Sequence, residues 1–180
     1  GMSTVITVDS RVRTGGCTEA SFKDVPHVRE SLPLLLKEAT KRKMEVYIGL
    51  VGFEYGRAGW IQECKQAYSG DKVNQSAREA STFIRWLKNQ QLLNEWSFKG
   101  WYIAEEPHLI YWANPSGELS PEIYTYYRQM IEAIRTEDSK GKTLISPALV
   151  GAETVKNITP NEYAKRAKLF MDRSGIDIIA

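Results

Sequence analysis

Two adjacent carboxylates, Glu105 and Glu106, follow an apolar stretch that begins at Trp101, and Pro107 and His108 come directly after them. A buried strand that delivers acidic side chains at its carboxyl end is how an α/β barrel builds a reaction site on a rigid base. Because apolar neighbours raise the pKa of a carboxyl group, such a glutamate can act as a general acid or base on a sugar. The pattern predicts Glu105 or Glu106 as a catalytic group; the alternative is a polar loop in which one of them caps the next element.

The spacing of the two glutamates limits what they can do together. They are adjacent, so on an extended strand their side chains point to opposite faces. Glu105 continues the alternation that starts at Trp101, whereas Glu106 shares a face with Tyr102. Hydrolysis with retention needs two carboxyl groups about 5 Å apart, and inversion needs a wider pair with room for water. A catalytic pair therefore needs a partner from elsewhere, and the sequence leaves open which glutamate faces the barrel interior.

Other polar side chains follow the predicted strands. A second carboxylate could come from Asp9, which ends the first predicted strand, or from Glu54 after the second. Asp9 is a substrate-binding candidate, although capping a loop is the commoner role of such an aspartate. His108 could orient a carboxylate or a substrate hydroxyl, but a lone histidine in a loop is usually structural.

Aromatic side chains in or after the strand ends could stack against the apolar face of a sugar. The substrate-binding candidates of this kind are Phe53, Tyr55, Tyr102 and Trp112. Any one of them could instead cover the rim of the barrel. The cluster at residues 111–115, directly after the glutamates, fits a carbohydrate platform better than core packing, because loops carry functional side chains.

The composition argues against several other classes of protein. With 24 basic and 22 acidic residues, the net charge of +2 provides no field that would attract nucleic acid or an anionic membrane. No apolar run approaches the ~20 residues of a membrane span, and no signal peptide or nucleotide-binding glycine motif is found. Cys17 and Cys64 are predicted as free thiols, with a disulfide between them as the alternative if the protein is secreted. No set of acidic residues and histidines has metal-ligand spacing. We therefore expect neither a metal nor a cofactor.

Hydrophobic periodicity repeats one plan, a β-branched strand followed by an amphipathic helix, which is typical of parallel strands with helical crossovers. The predicted strands are residues 4–8, 45–51, 101–104, 142–146 and 176–180, and loops are predicted between Asp9 and about Pro26 and from about Gly52 to Asn74. Carboxylates and aromatics after the strands favour a barrel over an open sheet. We predict an α/β fold of the TIM-type (β/α) barrel class, partial or truncated, as one incomplete domain over residues 4–180. Residues 1–3 are predicted to be a tag remnant and a disordered start.

Four segments occur in the order Met44–Leu50, Phe98–Glu106, Leu144–Pro147 and Gly175–Ala180. They resemble the glycosidase-like TIM barrels of domain-of-unknown-function family 4434, found mostly in bacterial secreted or surface proteins. The resemblance implies a secreted, periplasmic or cell-surface location and a barrel that lacks strands one, seven and eight. In the related retaining glycoside hydrolases the acid/base glutamate ends strand four, which Glu105 or Glu106 matches. The nucleophile ends strand seven, which nothing here matches.

These observations predict a glycoside-hydrolase-like protein that acts on carbohydrate, with a strand-end glutamate as general acid/base. The alternative is a non-catalytic carbohydrate-binding or structural barrel module, as a fragment without the nucleophile. Open edges at the first and last strands would expose unpaired backbone, so self-association through these edges is a further expectation.

Overall fold

The computed structural model of the chain describes residues 4–6, 11–14, 21–24, 26–53, 71–104, 121–146 and 159–180. In these ranges the chain forms eight strands, four α-helices and one short 3₁₀ helix. In chain order they are β1 (Thr4–Ile6), β2 (Arg11–Thr14), β3 (Ser21–Asp24), α1 (Pro26–Lys41), β4 (Glu45–Gly49), β5 (Val51–Phe53), α2 (Asp71–Asn89), the 3₁₀ helix (Leu92–Asn94), β6 (Phe98–Tyr102), α3 (Pro121–Glu137), β7 (Lys142–Ile145), α4 (Pro160–Ser174) and β8 (Ile178–Ile179).

Five of the strands form one sheet in the order β1-β4-β6-β7-β8, and every neighbouring pair in it is parallel. In the described ranges, one α-helix lies between each of these strands and the next one along the chain. Parallel neighbours need such crossovers, since a tight turn cannot return the chain to the same end of the sheet. The predicted α/β class is confirmed, as is the order of the five predicted strands.

One face of the sheet packs against the helices. Val46 and Ile48 of β4 and Trp101 of β6 are completely buried there, as are Leu50 and Ile103 just past the strand ends. Helix α3 covers them with a wide apolar stripe. Its buried residues are Ile123, Tyr124, Tyr126, Tyr127, Met130, Ile131 and Ile134. The stripe predicted from the sequence (Ile123, Tyr127, Met130 and Ile134) is contained in this set, because helical periodicity reports the face that is removed from water.

The opposite face of the sheet, called the inner face from here on, carries the alternate set of side chains. Tyr47 of β4 and Leu144 of β7 point to it, and they are 6% and 3% exposed, respectively. Tyr102 of β6 lies in register with Leu144 and so belongs to the same face. The face that carries Trp101 is therefore the helix side, and the face that carries Tyr102 is the inner side.

Strands β6 and β7 approach each other unusually closely at Gly100. A Cβ on Gly100 would collide with the backbone carbonyl of Lys142 on β7. The register of β4 against β6 also shifts between Val46 and Tyr47, so that Tyr47 lies opposite Gly100. A residue without a side chain is thus required where the ladder is irregular.

Two segments predicted as loops contain strands. Strands β2 and β3 pair antiparallel after β1, and β2 also pairs in parallel with β5, which follows β4 after the single residue Leu50. These strands have three or four residues each, too few for an alternating pattern to be recognised in the sequence. Helix α2 begins at Asp71, inside the second predicted loop, because its first turn is mostly polar.

The ends of α4 follow the signals in the sequence. Thr159 is the N-cap, and its side chain accepts a hydrogen bond of 3.2 Å from the backbone N–H of Glu162. Gly175 ends the helix with φ at 82° and donates its N–H to the carbonyl of Met171. None of the helices in the described ranges is both long and apolar enough to cross a membrane.

Candidate functional site

The carboxyl ends of four neighbouring strands lie in one row. Backbone hydrogen bonds continue just past the strands: Leu50 N–H donates to Tyr102 O at 3.1 Å, and Ile103 N–H donates to Leu144 O at 2.9 Å. Ala180 N–H donates to Ile145 O at 2.9 Å. The segments that follow β4, β6, β7 and β8 therefore leave the sheet at a common edge, which is the edge where α/β barrels place their reaction sites.

Tyr102 is the predicted site residue whose side chain the structure describes. It is the last residue of β6, is partly buried and stands on the inner face. Its lateral neighbours are Gly49 on β4 and Leu144 on β7. Gly49 presents no side chain on that flank of Tyr102. The sequence did not indicate Gly49 as part of the site; only the strand register reveals it.

The second sheet, with the strand order β3-β2-β5 and called the small sheet from here on, extends from the same edge. Strand β5 continues from β4, and β2 follows β1, so both leave the carboxyl ends of adjacent strands of the main sheet. The backbone of Phe53, a predicted substrate-binding residue, pairs with Arg13 in this small sheet. The carboxyl edge is thereby built up next to β1 and β4.

The remaining predicted site residues lie outside the described residues. They are Asp9, Tyr55, Glu105, Glu106, His108 and Trp112, and the same holds for Cys17 and Cys64. Ile103 and Ala104 follow β6 and come directly before the two glutamates. Ile103 is completely buried on the helix side, and Ala104 is partly buried.

Helix α4 brings a second tyrosine toward this edge. The helix begins soon after the carboxyl end of β7, so Tyr163 in its first turn lies on the same side of the molecule. Its hydroxyl is buried and has no hydrogen-bond partner within the described ranges. Burial raises the pKa of Tyr163, so that its hydroxyl stays protonated at neutral pH. The sequence predicted only that this residue faces the core.

No group of three or more histidine, cysteine, aspartate or glutamate side chains in the described part of the chain could hold a metal ion. In its described part, the carboxyl edge offers the side chains of Tyr102 and Tyr163 and backbone groups.

The fold and this edge define the class of protein. The sheet is part of a TIM-type (β/α) barrel, and two of the solved structures that match it are described as glycosidases. One is a putative alpha-L-fucosidase from Bacteroides thetaiotaomicron, with a TM-score of 0.60 and 18% identity over 100% of this chain and 52% of that one. Another is an exo-beta-1,4-mannosidase from Opitutaceae bacterium strain TAV5, with a TM-score of 0.51 and 18% identity over 81% of this chain and 25% of that one.

Within this class, the chain belongs to the family described as Domain of unknown function (DUF4434), whose model matches residues 1–180. The resemblance inferred from the four sequence segments is therefore confirmed. The chain spans about half the length of the first structure and a quarter of the second. A sequence comparison with curated proteins found no match.

Proposed function

We propose that the carboxyl edge of the sheet binds carbohydrate and that Glu106 is the general acid/base of a glycoside hydrolase reaction there. The choice between the two glutamates rests on which face of β6 each residue occupies. Trp101 and Ile103 are completely buried on the helix side, whereas Tyr102 stands on the inner face. Extended backbone alternates faces at each residue, so continuing the strand by two residues assigns Glu106 to the inner face. Glu105 would then belong to the helix side.

The proposed chemistry is acid-assisted cleavage of a glycosidic bond. Glu106 in its protonated form donates a proton to the leaving oxygen as the bond to the anomeric carbon breaks. Tyr102 and other apolar neighbours disfavour the charged form, which would raise the pKa of the glutamate and keep the proton on it near neutral pH.

The partner carboxylate must come from another strand end. Asp9 follows β1, which is separated from β6 by β4 alone. Neighbouring strands lie about 4.8 Å apart, so backbones two strands apart are separated by roughly 10 Å. That separation suits the wider carboxyl pair of an inverting enzyme better than the ~5 Å pair of a retaining one. Asp9 is thus a candidate for the base that activates water if cleavage proceeds with inversion.

Sugar recognition at this site would use the aromatic candidates. The Tyr102 ring can stack against the apolar face of a sugar. Phe53 is the last residue of β5, which comes directly after β4, the neighbour of β6 in the main sheet. Tyr55 and Trp112 come soon after strand ends in the sequence. His108 would orient a sugar hydroxyl.

The test compares Glu106→Gln with Glu105→Gln on a panel of aryl glycosides. We expect Glu106→Gln to lower kcat/KM by about 100- to 10,000-fold, the usual contribution of a general acid/base. Glu105→Gln removes the same charge at the neighbouring position and should have a much smaller effect. Far-UV circular dichroism and thermal melting of both variants show whether the fold is intact. A larger loss in Glu105→Gln would contradict the assignment.

The alternative function is carbohydrate binding without catalysis. It is distinguished by the same panel, since an intact chain that hydrolyses none of the glycosides but binds oligosaccharides would support it. In that case Tyr102→Ala and Trp112→Ala should weaken binding, while Glu106→Gln should leave it nearly unchanged. Isothermal titration calorimetry with the same oligosaccharides measures the difference.

A further inference from the structure

A pocket of about 540 Å³ opens at the opposite end of the sheet, among the amino ends of β4, β6 and β7 and the helix ends that lead into them. This amino-end pocket is within the size range of small-molecule sites. Its charged lining residues are Glu45, Lys88, Lys99, Asp138, Lys140 and Lys142. Four ammonium groups against two carboxylates give the pocket a positive field, although the chain as a whole is nearly neutral.

One of the two carboxylates is already engaged. Oδ2 of Asp138 accepts a hydrogen bond of 3.0 Å from the indole N–H of Trp101, and Oδ1 accepts one of 3.2 Å from the backbone N–H of Lys140. These two bonds point the carboxylate toward the core and the turn. Both carboxylates therefore offset part of the lysine charge, and the lining keeps an excess of two cationic groups.

Two of the lysines are held in place around the pocket. The Nζ of Lys88 donates a hydrogen bond of 2.6 Å to the carbonyl of Glu137, at the end of α3. The Nζ of Lys99 donates one of 2.9 Å to the carbonyl of Trp96 and lies 4.2 Å from the centre of its ring. Neither ammonium group is neutralised by a carboxylate in the described ranges, so both keep their charge next to the pocket.

The other two lysines, Lys140 and Lys142, have side chains with no ion pair or hydrogen bond within the described residues. They flank Gly141, where a Cβ would collide with Asp138 and with the indole of Trp101. The tight turn packed on a fully buried tryptophan therefore fixes the backbone positions of both lysines. Each ammonium group has three donors available for a ligand.

A neutral donor completes the lining. Tyr47 reaches the pocket from the inner face of β4. Burial, and then the charges of Glu45 and Asp177, raise the pKa of Tyr47. Its hydroxyl stays protonated at neutral pH and can donate a hydrogen bond to an anionic oxygen without adding negative charge.

We propose that the amino-end pocket binds a phosphate monoester or inorganic phosphate, with Lys140 and Lys142 as the principal contacts. An anion with two negative charges matches the excess of cationic groups, and lysine binds phosphate as a compact point charge. Three acceptor oxygens suit the spread of donors around the pocket. The site is separate from the carboxyl edge, so it does not depend on the proposed glycoside hydrolysis.

The test is isothermal titration calorimetry of the full chain at pH 7.5 with inorganic phosphate, glucose 6-phosphate, glucose 6-sulfate and glucose. We expect saturable binding of both phosphates, weaker binding of the singly charged sulfate ester and no binding of glucose. The double variant Lys140→Gln/Lys142→Gln should weaken glucose 6-phosphate binding by at least about tenfold, equivalent to 1.4 kcal/mol. Raising the NaCl concentration should also weaken it.

The matched control is Lys37→Gln/Lys165→Gln, which removes two exposed lysines outside the pocket. It changes the net charge equally and should leave the affinity within about twofold, since distant exposed charges are screened by salt. Equal losses in the two double variants would overturn the proposal, because binding would then follow net charge alone. Absence of saturable phosphate binding, or equal binding of glucose 6-sulfate and glucose 6-phosphate, would overturn it as well.

Discussion

Gly100 shows how one residue can decide whether two strands of the main sheet pair. The space where its Cβ would lie is taken by the Lys142 carbonyl on β7. A backbone carbonyl cannot move aside in the way that the end of a flexible side chain can. Even the smallest side chain must therefore push β6 and β7 apart, directly next to the fully buried Trp101.

We predict that Gly100→Ala lowers the free energy of unfolding by about 1–3 kcal/mol, the usual cost of overpacking. Urea denaturation followed by circular dichroism measures this loss. Gly175→Ala is the comparison, because its Cβ would meet only ordinary contacts at 3.8 Å or more, and its cost comes from the positive φ of 82°. That cost should be about 1 kcal/mol. A Gly100→Ala protein as stable as the unmodified chain would contradict the close approach of the strands.

The assignment of the glutamates also belongs to the residue scale. The sequence predicted Tyr102 and Glu106 on one face and Trp101 and Glu105 on the other, but it gave no reason to prefer either face. Burial of Trp101 against the helices assigns that residue to the helix side and Tyr102 to the inner side, because only three-dimensional packing distinguishes the two sides of an apolar strand. The roles of both glutamates stay predictions.

At the scale of elements, the short strand β8 is held to β7 largely by one side chain. Oδ2 of Asp177 accepts hydrogen bonds of 2.8 Å from both the N–H and the hydroxyl of Thr143, which is completely buried. In return, the N–H of Asp177 donates to the carbonyl of Thr143 at 3.2 Å. The ladder between β7 and β8 itself has just two residue pairs in register, so these bonds are a large part of the attachment.

We expect Asp177→Ala to lower the free energy of unfolding by about 2–4 kcal/mol, because it leaves two buried donors of Thr143 without a partner. Equilibrium denaturation in urea measures the change. The control is Asp172→Ala on α4, which removes an exposed ion pair with Lys168. Exposed pairs contribute about 0–1 kcal/mol, so its effect should be small. Similar losses in the two variants would show that Asp177 does not fasten β8.

The success of sequence prediction differed between elements for physical reasons. The stripe of α3 and both ends of α4 could be predicted, since side-chain spacing and capping are local properties of the chain. Strands β2, β3 and β5 could not, because they are short and one of their pairings joins segments distant in sequence. The helical spacing of apolar residues that predicts α2 begins at Ala77 and does not include Val73, which is buried. The predicted start, after Asn74, is therefore too late.

For the whole molecule, the two outer strands of the main sheet raise the question of association. β1 and β8 occupy the ends of the strand order, and each has one partner in that sheet within the described ranges. Unpaired strand edges present backbone donors and acceptors to other chains. Association of copies of the 180-residue chain through these edges stays a prediction.

Multi-angle light scattering should then give a defined oligomer, and the midpoint of thermal unfolding should rise with protein concentration, as linkage requires. Lys140→Gln/Lys142→Gln is a suitable control, because these lysines lie at the end of the sheet and not on its outer strands. A monodisperse monomer with a midpoint that does not depend on concentration would exclude association through the edges.

The hydrogen bond between Trp101 and Asp138 has a spectroscopic consequence. The indole is completely buried, so its fluorescence should lie toward the blue end of tryptophan emission, whereas Trp96 is half exposed. Asp138 joins this indole to the wall of the amino-end pocket. If the proposed anion binds there, its charge will act on the indole through that carboxylate. Trp101 would then be an intrinsic optical reporter at the amino end of the sheet, opposite the carboxyl edge.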